Sequence, residues 1–104
     1  FDGPLPDFNI GTNDGASCAG DLSDRLAAIC DAPGYRHVVN GRFKGGHITR
    51  HYGQPKRGVH AVQLELAQRT YMNEDAPFAY RPDLAQEVQP ILRRFVQAMI
   101  DWRP

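Results

Sequence analysis

The feature that most constrains the fold is the alternating segment at residues 59–66, which reads VHAVQLEL. Successive side chains of a strand point to opposite faces, so this pattern predicts a β-strand with two different faces. One face carries Val62, Leu64 and Leu66, and the other carries Ala61, Gln63 and Glu65. A strand with one apolar face needs partner strands and a covering layer, so the chain must contain a sheet packed against other elements.

The other periodic segments supply those elements. Residues 7–12 and 35–40 read as strands. Between them, one helical face carries Leu22, Leu26, Ile29 and Cys30. A second helix is predicted to open at Pro82, to carry an apolar stripe as far as Met99, and to kink or restart at Pro90. The order strand, helix, strand, loop, strand, helix predicts an α/β fold, with a few strands flanked by helices.

Composition excludes several classes of protein. The 104 residues suit a single domain, and their formal net charge is zero, so any electrostatic attraction to a ligand must be local. No apolar run approaches the roughly 18 residues of a membrane span, and the opening FDGPLPDFNIG lacks the pattern of a signal peptide. Cys18 and Cys30 match no metal or redox spacing, so we expect reduced thiols in a cytoplasmic protein.

Positive charge is concentrated in residues 40–58, NGRFKGGHITRHYGQPKRG. This run holds five of the twelve Lys and Arg residues, five glycines and no Asp or Glu. Glycines allow the backbone to approach a ligand closely, and Arg42 and Arg50 can each bind a carboxylate through two hydrogen bonds. The run therefore predicts an anion-binding loop. The alternative is a solvated surface loop whose cations balance acids elsewhere in the fold.

Two histidines in this loop raise the question of a metal. His47 and His51 stand four residues apart, a spacing that places two ligands on one face of a helix. Gly45, Gly46 and the β-branched Ile48 and Thr49 disfavour a helix, so we expect a short strand at residues 47–52. Residues four apart on a strand are separated by roughly 13 Å, which is too far for one zinc ion.

Glu65 is the other candidate for chemistry. A carboxylate in this strand either faces solvent at the edge of the sheet or is retained for proton transfer. Sites in α/β sheets lie at the carboxyl ends of strands. Asn40 and Glu65 stand at two such predicted ends, so we expect the basic loop and Glu65 to share one cleft.

A family resemblance connects these segments. NGRFKGGHITRHYG at 40–53, GVHAVQLELAQRTYM at 58–72 and the opening FDGPLPDFNIGTNDGASC at 1–18 resemble the carboxyl-terminal part of the N-formylglutamate amidohydrolase family. The resemblance implies a fold like that of zinc carboxypeptidases and hydrolysis of N-formyl-L-glutamate to formate and glutamate in histidine breakdown. One departure is His47, where the family resemblance leads us to expect Tyr.

The resemblance also implies roles for individual residues. Glu65 matches a general base, and a pocket of Asn40, Arg42, Arg50 and His51 would bind a small substrate with two carboxylates. The zinc ligands would precede Phe1, so we expect no metal in this chain alone, and a fragment with an exposed sheet edge could self-associate.

The alternative is a non-enzymatic α/β module that binds an anion, such as a nucleic acid, through the loop at 40–58. Neutral net charge and the lack of an aromatic stacking motif count against a nucleic acid.

Overall fold

A computed structural model describes residues 5–104, so the first four residues of the opening motif lie outside the described part. Residues 5–104 form three strands, three α-helices and two short 3-10 turns. The strands are β1 (Phe8–Gly11), β2 (His37–Val39) and β3 (Gln63–Leu66), and the helices are α1 (Gly20–Cys30), α2 (His47–Tyr52) and α3 (Pro82–Asp101). The 3-10 turns span Pro55–Arg57 and Gln68–Thr70. The predicted α/β class is confirmed.

The three strands form one mixed sheet in the order β2–β1–β3. β1 pairs in parallel with β2 and antiparallel with β3. Every residue of β1 is buried, because strands flank it on both sides and other segments cover both faces of the sheet. β2 and β3 are the edge strands of the sheet within residues 5–104.

The hydrophobic core lies on one face of the sheet, beneath α1 and α3. From the sheet, the fully buried Phe8 and Ile10 point into it. The helices contribute Leu22, Leu26, Cys30, Val88, Ile91, Phe95 and Ala98. Full burial of a side chain such as Ile10 stabilises the fold by about 1.5–3 kcal/mol. Burial in this layer therefore determines which face of the sheet packs against the helices and which face is left for other segments.

α3 continues through Pro90, so the helix does not restart there, and the alternative of a kink at Pro90 stays a prediction. Proline removes one helical hydrogen bond and leaves a carbonyl without its usual partner. Pro90 is exposed, so water can reach that carbonyl. The apolar stripe of Val88, Ile91 and Phe95 stays buried on the opposite side and keeps the helix against the core.

Two other predictions need correction. The strand predicted at 59–66 begins only at Gln63, because the preceding residues bond elsewhere: Ala61 N–H donates to the carbonyl of Ser17 at 2.9 Å. Residues 47–52 are helical, not a strand. Thr49 explains the helix, because its side chain is buried and its hydroxyl donates to the carbonyl of Gly46 at 2.9 Å. Burial of this residue outweighs the weak helix propensity of the segment.

Both cysteines are free and buried in this structure. Burial raises the pKa of the Cys30 thiol to about 11. Burial, and then the nearby charge of Asp21, also raise the pKa of Cys18. No helix in residues 5–104 has the length and apolar character needed to cross a membrane.

Candidate active site

The face of the sheet opposite the helices is covered by the first part of the basic loop, residues 41–46. Gly11 allows the loop to lie directly on β1. A Cβ atom added at Gly11 would stand 2.8 Å from the backbone nitrogen of Gly45 and from the carbonyl carbon of Lys44. The backbone N–H of Asn13 also donates to the carbonyl of Lys44 at 2.7 Å, which fixes the loop beyond the end of the strand.

Asn9 is the polar side chain that holds this loop from within the sheet. It is 4% exposed, and its Nδ2 donates to the carbonyl of Phe43 at 2.5 Å while its Oδ1 accepts from the Phe43 N–H at 3.3 Å. Leaving a buried amide group unpaired costs about 1–3 kcal/mol, so these two bonds both satisfy Asn9 and anchor the loop.

Glu65 lies on the same face as the loop, opposite Asn9 in the β1–β3 register. Its side chain is exposed, and its Oε1 accepts a hydrogen bond from Gln63 Nε2 at 2.8 Å. Gln63 Oε1 in turn accepts from the backbone N–H of Gly46 at 2.8 Å. A chain of two hydrogen bonds therefore runs from the loop to the Glu65 carboxylate.

A cleft of about 390 Å³ opens beside Glu65. Phe43 and Leu66 give it apolar walls, and Arg69 and Glu74 add charged groups. The guanidinium of Arg69 is held by Asp7, with Nε to Oδ1 at 3.0 Å, and donates to the carbonyl of Leu5. The cleft thus combines an exposed carboxylate, an apolar surface and a fixed guanidinium.

Arg42 and Arg50 are both exposed on the loop and its helix. The guanidinium carbon of Arg42 lies 5.9 Å from the centre of the Phe43 ring, and Arg50 Nη1 donates to the carbonyl of Gly45 at 3.2 Å. Within residues 5–104 neither arginine forms an ion pair, whereas Lys44 is 3.3 Å from Asp14. The lining of the 390 Å³ cleft includes neither Arg42 nor Arg50.

The side chain of Asn40 joins the ends of β1 and β2. Its Oδ1 accepts from the Thr12 N–H at 2.8 Å, and its Nδ2 donates to Thr12 Oγ1 at 2.8 Å. Asn40 has a φ of 53°, a left-handed conformation that Asn tolerates better than most residues. The structure thus gives Asn40 a structural contact, and its role in binding substrate stays a prediction.

His47 and His51 stand together on α2, contrary to the separation expected for a strand. Their rings are stacked with centroids 4.9 Å apart, and the ring of Tyr52 meets His51 edge-on at 4.6 Å. The estimate of roughly 13 Å between these histidines is therefore wrong, because it assumed an extended backbone. Across residues 5–104, no group of three or more His, Cys, Asp and Glu side chains is arranged to hold a metal ion.

Asn40 and Glu65 lie at opposite ends of the sheet and not at the same end, as was predicted. β3 runs antiparallel to β1, so its carboxyl end lies beside the start of β1, whereas Asn40 follows the carboxyl end of β2. Glu65 comes close to the loop for a different reason: the loop folds back over the face of the sheet as far as Gln63.

Known proteins share both the sequence and the fold of this chain. The family model described as N-formylglutamate amidohydrolase matches residues 1–72. The chain belongs to this family. An N-formylglutamate deformylase from Pseudomonas aeruginosa is 64% identical over 103 residues, and one from Pseudomonas putida is 62% identical over the same length. Each alignment covers 98% of this chain and 39% of the relative, so the chain spans well under half of the length of these relatives.

A solved structure extends the likeness to the fold. The crystal structure of an N-formylglutamate amidohydrolase from Ralstonia eutropha JMP134 superposes with a TM-score of 0.79 at 25% identity, covering 96% of this chain and 36% of that one. The small sheet with α1 and α3 on one face is therefore an arrangement found within a larger member of the amidohydrolase family.

The sequence did not predict that Gln63, Asn9 and Arg69 belong to the site. The alternation of β3 places Gln63 on the same face as Glu65, but the contact of Gln63 with Gly46 depends on where the loop folds. Asn9 gives a usable signal, because a polar residue between Phe8 and Ile10 in a buried strand must find hydrogen-bond partners. Nothing in the sequence marks Arg69 as part of the cleft.

Proposed function

We propose that the protein containing this chain hydrolyses the formyl amide of N-formyl-L-glutamate to formate and glutamate, a step of histidine breakdown. This chain would form its carboxyl-terminal part. Membership of the amidohydrolase family and the two relatives named N-formylglutamate deformylase support the reaction. They do not favour a non-enzymatic anion-binding module.

Glu65 is the proposed general base. The observation that carries this role is its exposed carboxylate, held at Oε1 by Gln63 beside the 390 Å³ cleft. Oε2 makes no hydrogen bond to the residues at 5–104, so it remains available to take a proton from an attacking water. The same carboxyl group would then return the proton to the nitrogen that leaves as the amine of glutamate.

The basic loop is the proposed anchor for the two carboxylates of the substrate. Arg42 and Arg50 present exposed guanidinium groups without ion-pair partners in the described part of the chain. A guanidinium can donate two parallel hydrogen bonds to a carboxylate, which fixes orientation as well as charge. Asn40 and His51 complete the proposed pocket, although Asn40 also serves the contact with Thr12.

The described residues do not fit a zinc site by themselves, since no group of three ligands occurs among residues 5–104. We therefore propose that the zinc implied by the family resemblance is held by parts of the enzyme outside this chain. The family resemblance also leads us to propose that the three strands belong to a larger sheet like that of zinc carboxypeptidases. The chain's coverage of 39% of its relatives and the edge strands β2 and β3 support this proposal.

The test uses the full-length enzyme and an assay of formate release. Glu65→Gln keeps the shape of the side chain but cannot accept the proton, so kcat should fall by roughly a hundredfold or more. Glu87→Gln, a matched change at an exposed position on α3, should leave kcat unchanged. Arg42→Ala and Arg50→Ala should mainly raise KM. An undiminished kcat in Glu65→Gln would exclude the general-base role. An unchanged KM in both arginine variants would show that Arg42 and Arg50 do not form the anion pocket.

A further inference from the structure

Gln63 joins the basic loop to the proposed general base, and its orientation is determined by chemistry. The backbone N–H of Gly46 can only donate, so the side-chain carbonyl oxygen of Gln63 must face it, at 2.8 Å. The NH₂ group of Gln63 must then face Glu65, whose Oε1 lies 2.8 Å away. The loop therefore decides which end of the amide is presented to the carboxylate.

We propose that Gln63 is a positioning residue that holds Glu65 ready for proton transfer, an inference that rests on the proposed function. Glu65 is exposed, so its side chain would otherwise sample many rotamers, a freedom equivalent to about 1.5–2 kcal/mol. The hydrogen bond to Oε1 restricts that freedom and leaves Oε2 for the proton. A base that is already oriented needs no rearrangement when the substrate arrives.

The geometry of β3 shows that this contact is not the default for a strand. Gln63 and Glu65 are two residues apart on one face, a repeat of roughly 6.6 Å at the backbone. A 2.8 Å hydrogen bond requires the two side chains to lean toward each other. The Gly46 N–H holds Gln63 in that position, so the placement of the loop is transmitted to the carboxylate.

Two variants separate the hydrogen bond between Gly46 and Gln63 from the hydrogen bond between Gln63 and Glu65. Gln63→Glu retains an oxygen that can accept from Gly46 but cannot donate to an ionised Glu65. Gln63→Leu removes both hydrogen bonds at similar volume. A matched control is Gln97→Leu, because Gln97 Nε2 donates to the Asp101 carboxylate at 2.9 Å on the surface of α3, which is a similar bond outside the site.

The experiment measures kcat and KM of the full-length enzyme with N-formyl-L-glutamate. Gln63→Glu should lower kcat by roughly tenfold with little change in KM, because the base loses its orientation while the loop keeps its anchor. Gln63→Leu should lower kcat similarly and also raise KM. Gln97→Leu should match the wild type. Wild-type kcat in Gln63→Glu and Gln63→Leu would overturn the inference.

A double variant distinguishes positioning from a structural role. In the Glu65→Gln background, Gln63→Leu should cause no further loss of kcat, because the group that it orients has already been disabled. Losses that multiply would show that Gln63 acts independently of Glu65 and would overturn this inference alone. An undiminished kcat in Glu65→Gln itself would overturn the proposed function, and the inference with it.

Discussion

Gly11 is a position where the backbone of β1 lies directly against the loop of the candidate site, and Gly11→Ala tests that contact. The new Cβ would meet Gly45 N and the carbonyl carbon of Lys44 at 2.8 Å, and both are backbone atoms. Ordinary contact begins at 3.4 Å, so the loop must move away from β1 by roughly 0.6 Å. Gly11 has no positive φ, so the cost arises from space and not from backbone conformation.

Two consequences of this substitution can be measured in the full-length enzyme. Overpacking of this kind destabilises proteins by about 1–3 kcal/mol, which thermal unfolding detects. The displaced loop carries Phe43, Arg42 and, through Gly46, the anchor of Gln63, so kcat/KM should fall by roughly tenfold or more. The control is Gly20→Ala at the start of α1, where an added Cβ would meet nothing within 4 Å. Wild-type stability and activity in Gly11→Ala would refute the account of the loop lying on the sheet.

Two further predictions concern the elements that frame the site. Asn40→Gly keeps the positive φ without strain but removes the side-chain hydrogen bonds to Thr12. The free energy of unfolding, measured by chemical denaturation, should therefore fall by about 1–3 kcal/mol. An unchanged free energy of unfolding would contradict the structural role of Asn40. Burial raises the pKa of Cys30 from 9.0 to about 11. The stability that this shift represents, on the order of 2–3 kcal/mol, is fully present below about pH 9 and is lost as the pH rises through about 11. Cys30→Ala should therefore flatten the decline in stability between about pH 8 and about pH 11, and an equally steep decline in the variant would contradict the assignment.

The apolar pattern predicted the layers of the fold because burial dominates those residues. Leu64 and Leu66 face the core and Gln63 and Glu65 face away from it, as the alternation of β3 requires. Val88, Ile91 and Phe95 of the predicted stripe on α3 are buried in the same way, whereas Val96, which was predicted to share that stripe, is exposed. In these segments, the local periodicity predicts the same buried face that packing against the core requires.

Local propensity failed where a single tertiary contact decided the structure. The segment at 47–52 contains β-branched residues, yet burial of Thr49 beneath Gly45 makes it a helix. The sequence could not predict the direction of β3 either, because an antiparallel strand and a parallel strand have the same alternation of side chains. That direction determines which end of the sheet Glu65 occupies, so the approach of the loop to Glu65 could be predicted only in outline.

β1 connects the stability of the core to the geometry of the candidate site, since its side chains alternate between the two. Phe8 and Ile10 pack beneath the helices, while Asn9 and Gly11 hold the loop on the other face. A substitution that shifts Ile10 in the core must also shift Asn9, and Asn9 holds Phe43 through two hydrogen bonds. Because packed interiors transmit displacements instead of absorbing them, the loop and the proposed general base depend on the core residues of this one strand.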